Sequence, residues 1–352
     1  MTLILKAMFD TSCMNSSQGK VPSQPLKSLK MSMMLRDYDV QNSHDSSYLM
    51  PIDLCEKHED EHVLIFPKLM RPFGIWVKEH AEGEVTDADM WVLLKKIGQS
   101  MRYLSSKRAH GNLRRGIGVT AQVGSYFFNL GDARHSGRYC KDFKELHRLL
   151  RRILPSLADP SIKRKVEMWA TFLSESCLQD SACRNPNHVR LIANYPSSCD
   201  IDEHLQFLAN MNSLCSIKYM EGNLLRNRAF KKHLMGFYSQ WNQCFISGQN
   251  TGGLNLVYQH GRRRGKYVDR SGILCVPSIV IFAQSAIERY MQRAEKYNIK
   301  HKSENPQHPD HINPYLLSSE ILAELEIEFP HLIENIYGAY YKAVAKGYKH
   351  TS

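Results

Sequence analysis

Apolar side chains recur every three or four residues through most of the sequence beyond residue 85, the period that lines one face of an α-helix. Met90, Leu94, Ile97, Met101 and Leu104 mark the first stripe, behind Thr86 and Asp87 as capping residues. Phe143, Leu146, Leu150 and Ile153 mark the next, ended by Pro155, and Val166, Trp169 and Leu173 a third that starts after Pro160. Two more carry Leu205, Leu208, Met211 and Cys215, then Leu224, Leu225, Phe230, Leu234 and Phe237, and a further helix is predicted from Ser278 to Tyr297. The pattern predicts a mainly α protein, with a helical body of one large or two packed lobes.

Elsewhere the period lapses. Residues 1–48, rich in Ser, Asn, Gln and Lys over most of their length, read as a flexible N-terminal arm ahead of a body spanning 49–300. Within that body Val63 to Phe66 and Phe73 to Val77, bounded by Pro67 and Pro72, read as short buried segments of strand type. Gly111 to Gly124 is a glycine-rich link. Residues 247–277 contain six glycines and are expected to form a long exposed, protruding loop. Residues 301–317, with His301, Pro306, His308, Pro309, His311 and Pro314, read as a linker. Residues 318–352 then form a flexible C-terminal helical arm: Ser318, Ser319 and Glu320 open an acidic helix with Ile321, Leu322 and Leu325, and Pro330 separates it from a last helix with Ile333, Ile336 and Tyr340. The pattern leaves open whether this arm docks on its own body or on a neighbour.

At 352 residues, 43% of them hydrophobic, the chain can bury a sizeable core. It has no apolar run of about 18 residues, so no membrane-spanning helix is expected. Met1 to Phe9 is apolar but lacks a basic leader and a small-residue cleavage site, and is not read as a signal peptide. Nine scattered cysteines, an odd number, suit free thiols in a reducing intracellular compartment.

Charge changes the picture most. Between Lys95 and Lys165 lie seventeen basic residues and four acidic ones, an excess of +13 against +11 for the whole chain, so the remainder sums to −2. Such confinement points to a polyanionic partner held in a basic groove. Candidate contacts are Lys95, Arg102, Lys107 and Arg108 on and after the first helix, and Arg114 and Arg115 in the glycine-rich link. There, backbone N–H groups and planar guanidinium forks suit phosphate, although a plain turn with two solvated arginines reads equally well. Arg148, Arg151 and Arg152 share one helix face opposite Phe143 and Leu146, and Lys163, Arg164 and Lys165 follow a short loop later. Arg226, Arg228, Lys231 and Lys232 form a second cluster. Among the interleaved aromatics Tyr103 and Tyr126 are the candidates to stack on unpaired bases, which favours single strands, whereas Phe127, Phe128 and Trp169 read as core. Arg262, Arg263, Arg264 and Lys266 admit three readings: nucleic-acid contact, nuclear import signal, or a hook for self-association or another partner.

Catalytic motifs are absent. The sequence has no Gly-x-x-x-x-Gly-Lys-Ser/Thr loop, His-Glu-x-x-His, Gly-x-Ser-x-Gly or dinucleotide fingerprint, and no cofactor is expected. A two-metal nuclease needs convergent carboxylates, and only Asp132, Asp142, Glu145 and Asp159 lie in the basic stretch, so an enzyme or accessory subunit acting on nucleic acid is the second reading. An intracellular scaffold for acidic partners is the third. Cys177, Cys183, His188, Cys199 and His204 are zinc-type ligands, but their spacing departs from paired Cys-x-x-Cys and no metal is assigned.

The run Asp200-Ile201-Asp202-Glu203-His204-Leu205-Gln206-Phe207-Leu208-Ala209, placed after a basic helix beginning near Lys163, resembles an acidic-apolar helix start of the influenza-type, orthomyxovirus-like nucleoproteins. Ser247 to Gly253, continuing to Pro277 and then Glu288-Arg289, is similar to the tail loop of that family, which inserts into the next subunit. The resemblance implies a nucleoprotein that coats single-stranded RNA as a homo-oligomer through the 247–277 loop, with Arg262, Arg263 and Arg264 meeting an acidic socket. It further implies a viral polymerase as partner, and the cytoplasm, nucleus and virion as locations.

Overall fold

A computed structural model describes residues 54–58, 61–65, 71–105, 109–111, 113, 117–119, 125–127, 138–177, 185–216, 224–247, 252–268 and 275–348. Of the described residues 76% are helical, which makes the protein mainly α. The chain divides into two compact units, residues 1–198 and 199–352. The arm expected over 1–48 lies outside the described residues.

The first unit opens with strands β1 (Leu54–His58) and β2 (Glu61–Ile65), paired antiparallel with Leu54 opposite Ile65. A three-stranded antiparallel sheet joins β3 (Arg71–Pro72), β4 (Ile117–Val119) and β5 (Ser125–Phe127) in that order. Helix α1 (Phe73–Ala81) corrects the expected strand: Phe73, Trp76 and His80 are buried, and their three- and four-residue spacing is a helical face that a five-residue window conceals. Helix α2 (Asp87–Ser105) buries all five expected apolar positions. Helices α3 (Arg138–Ile153) and α4 (Pro160–Cys177) pack against each other as a hairpin. Helix α5 (Pro186–Ala193) and a 3₁₀ turn over Pro196–Ser198 pack on α2. Gly98 makes this approach possible, since a Cβ there would lie 2.6 Å from Ser198 Cβ and 2.8 Å from the Trp169 ring.

The second unit contains α6 (Ile201–Ser216), α7 (Arg228–Tyr238), the single turn α8 (Gln243–Ile246), α9 (Gly253–Arg263), α10 (Ile279–His301), α11 (Ser318–Glu328) and α12 (Leu332–Ala345). Its core is aromatic. Trp241 stacks on Phe282 at 5.2 Å and meets Tyr258, Tyr267 and Phe329 edge-on, while Phe245 stacks on Tyr258 at 4.8 Å.

Two expectations fail here. The segment 247–277 is not one protruding loop: its residues 253–263 are helix α9, whose Leu254, Val257, Tyr258 and Gly261 are buried against α10. Two of the six glycines that suggested a loop serve close packing instead. A Cβ on Gly253 would meet the Tyr290 ring at 2.2 Å, and one on Gly261 would meet Tyr267 Oη at 2.1 Å. The C-terminal helices are likewise no free arm. Ile321, Leu322 and Leu325 of α11 and Leu332, Ile333 and Ile336 of α12 join the core, with α12 packed along α7. Tyr238 Oη donates to the Pro330 carbonyl and accepts from Asn335 Nδ2, fixing the corner between them. The expected linker is tied as well: buried Asn298 donates to the Ile312 carbonyl at 2.8 Å and accepts from its N–H at 3.1 Å.

Candidate nucleic-acid interface

Helix α3 is sharply two-sided. Cys140, Phe143, Leu146, Leu150 and Ile153 face inward, while Lys141, Lys144, Arg148, Arg151 and Arg152 recur at three and four residues along the exposed side. Arg148, Arg151 and Arg152 have no carboxylate partner among the described residues, whereas Lys141 faces Glu145 at 3.9 Å. Arg151 and Arg152 sit in the last turn, where the helix dipole favours cations. Lys163, Arg164 and Lys165 sit at the start of α4, where the dipole disfavours them, and Arg164 is paired with Glu167 at 2.9 Å. Six connecting residues, 154–159, bring these two helix ends to one corner.

A polar network fixes that corner. Asp87, at the start of α2, accepts the backbone N–H groups of Ala158 at 2.8 Å and Asp159 at 2.5 Å, and its other oxygen meets His80 Nε2 at 2.7 Å. His80 in turn contacts Ser156 Oγ at 3.0 Å, and Ser156 donates to the Ile153 carbonyl. Partial burial pushes the Asp87 carboxyl up, but the hydrogen bonds from Asp159, His80 and Ala158 outweigh it and hold its pKa below the ordinary value. Asp159 accepts from the N–H groups of Ser161 and Ile162, capping α4.

Asp142 anchors the opposite end of α3. Its buried carboxyl accepts the N–H of His110 at 2.6 Å and that of Gly111 at 2.9 Å, while Lys141 Nζ donates to the Gly111 carbonyl at 3.2 Å. The link that carries Arg114 and Arg115 therefore departs from a point fixed to the cationic helix. Burial drives the Asp142 pKa up to about 7 against the opposing pull of those N–H groups. Asp142 and Asp159 are thus engaged with backbone and Glu145 with Lys141, so these three carboxylates, the described ones of the basic stretch, are each used locally. Among the described residues no group of three or more His, Cys, Asp or Glu side chains is placed to hold a metal ion.

The other candidates are distributed over both units or lie outside the described residues. Lys95, Arg102 and Tyr103 are half-buried on α2. Lys107, Arg108, Arg114, Arg115 and the Tyr126 side chain lie outside the described residues. Arg226, Arg228, Lys231 and Lys232 are exposed on the second unit, on and before α7. Arg262, Arg263 and Arg264 close α9 on that same unit, followed by Lys266. Cys140 is disulfide-bonded, which departs from the expectation of free thiols throughout, while Cys177, Cys199, Cys215, Cys244 and Cys275 are free. No helix of the described residues is long and apolar enough to cross a membrane.

No protein-family model matches this chain, and no curated protein does.

The Asp87 and Asp142 anchors escape sequence reading, because their partners lie 71–72 and 31–32 residues away. A lone acid that interrupts the apolar face of a basic amphipathic helix is the one trace Asp142 leaves.

Proposed function

We propose that the chain is a single-stranded RNA-binding protein of nucleoprotein type, which holds the phosphate backbone without reading base sequence and covers it by self-association. The observation that carries this reading is the exposed face of α3, where Arg148, Arg151 and Arg152 lack carboxylate partners among the described residues and lead into Lys163 and Lys165. Unpaired guanidinium groups on a rigid helix match phosphate oxygens in pairs and discriminate little between bases. The resemblance to orthomyxovirus-like nucleoproteins supports RNA over other polyanions, and would make a viral polymerase a further partner. Self-association through a protruding 247–277 loop is not part of the proposal, because α9 is packed into its own core. The test is anisotropy of several unrelated labelled single-stranded RNAs, with particle size measured in parallel. Similar affinities across sequences and growth of the particle on RNA are expected. Turnover of the RNA with Mg²⁺ or Mn²⁺ would favour an enzyme, and ready displacement of RNA by an acidic protein a scaffold.

A further inference from the structure

The second unit carries a convergence of cations that the α3 face does not explain. Arg293, midway along α10, donates from Nη2 to His260 Nε2 at 2.7 Å in the last turn of α9. Because a guanidinium only donates, His260 accepts there and is held neutral with its proton on Nδ1. Arg293 Nε is buried and has no hydrogen-bond partner. After α9 the chain turns back tightly: Gly265 has φ +64°, and Lys266 N–H bonds to the Gly261 carbonyl, which keeps Arg264 and Lys266 beside His260. From α10 comes Arg289, one turn before Arg293. Burial and then Arg293, Arg264, Arg289 and Lys266 all push the His260 pKa down, and burial, Arg289 and Arg264 do the same to Arg293. Among the described residues Arg264, Arg289 and Arg293 have no carboxylate partner. Glu288, adjacent to Arg289 in sequence, is bonded by Gln284 Nε2 at 2.9 Å.

Like charges gathered without a counter-charge destabilise the free protein and are relieved by an anion. We infer that Arg264, Arg289 and Arg293, with His260 orienting Arg293, form a phosphate-binding site on the second unit. Three guanidinium forks suit the several oxygens of a phosphate group, whether free or within a nucleic-acid backbone. This site is built from other residues than the α3 face and does not require that face to bind RNA.

The experiment compares the full-length wild type with Arg289→Gln, which removes one cation and leaves the Arg293–His260 bond. Thermal unfolding is followed at fixed ionic strength with chloride, inorganic phosphate, pyrophosphate or a short oligoribonucleotide. For a free-phosphate site, phosphate or pyrophosphate raises the wild-type Tm by a few degrees at saturation, and the rise is lost in Arg289→Gln. For a backbone site, only the oligoribonucleotide raises Tm, and Arg289→Gln makes the salt dependence of RNA binding shallower by about 0.7. In both cases the ligand-free variant melts no lower than wild type, because repulsion has been relieved. Retention of the effect in a variant lacking Arg148, Arg151 and Arg152 separates this site from the α3 face. Equal Tm in all four solutions, or a response unchanged by Arg289→Gln, overturns the inference. If that variant fails to fold, Arg264→Gln on the exposed turn is read the same way.

Discussion

Asp142 offers the sharpest test of how the basic helix is held. Its carboxyl is buried and receives two backbone N–H groups, with its pKa up to about 7 against an ordinary 3.8. The folded state therefore binds more protons than the unfolded state between those values, so stability from this residue is fully present below pH 4 and is lost as pH rises towards 7. Three pK units correspond to about 4 kcal/mol as an upper figure. Asp142→Asn keeps an oxygen to accept the N–H groups of His110 and Gly111 but cannot ionise. It is expected to lie nearest wild type at the acid end of the range and to gain on it as pH rises to about 7, above which the difference levels off. Asp142→Ala removes the acceptor altogether and leaves two N–H groups unpaired, costing about 2–5 kcal/mol. Chemical denaturation of all three proteins from pH 5 to pH 8.5 decides the matter. A difference between Asp142→Asn and wild type that does not change with pH would refute the argument, as would equal losses for Asn and Ala.

Asp87→Ala should cost about 2–4 kcal/mol at neutral pH, since it strips the acceptor from two backbone N–H groups and from His80. Because the Asp87 pKa is depressed, its contribution is present above pH 4 and lost as pH falls through the folded value, so wild type and variant should converge in acid denaturation. Gly261→Ala places a methyl 2.1 Å from Tyr267 Oη and should cost about 1–3 kcal/mol by thermal or denaturant unfolding. A neutral outcome there would mean that Tyr267 is free to move from the helix.

Much of the architecture is written in local periodicity. The stripes from Met90 to Leu104 and from Phe143 to Ile153 are buried as their spacing requires, because a solvent-facing helix leaves an unambiguous apolar face. Phe230, Leu234 and Tyr238, four residues apart, form the buried line of α7, and Phe237 falls beside that line at 51% exposure. Periodicity misled where glycine was read as loop. Gly253 and Gly261 sit in a helix because the Tyr290 and Tyr267 rings lie directly over them, a tertiary fact with no local signature. The C-terminal helices were legible as helices, but their docking was not, since Tyr238 and Asn335 meet across 97 residues. Among site residues, the Arg148, Arg151 and Arg152 face follows directly from helical spacing. The Arg264, Arg289 and Arg293 cluster depends on how α9 packs on α10, which local spacing does not encode.

The salt dependence of RNA binding tests the central claim most directly. Each phosphate contact on a single strand contributes about −0.7 to the slope of log affinity against log salt, so replacing Arg148, Arg151 and Arg152 with Gln should make the slope shallower by about 2 and weaken binding alike for all sequences. An unchanged slope and affinity in a folded triple variant would contradict the assignment of α3 as the RNA-binding face.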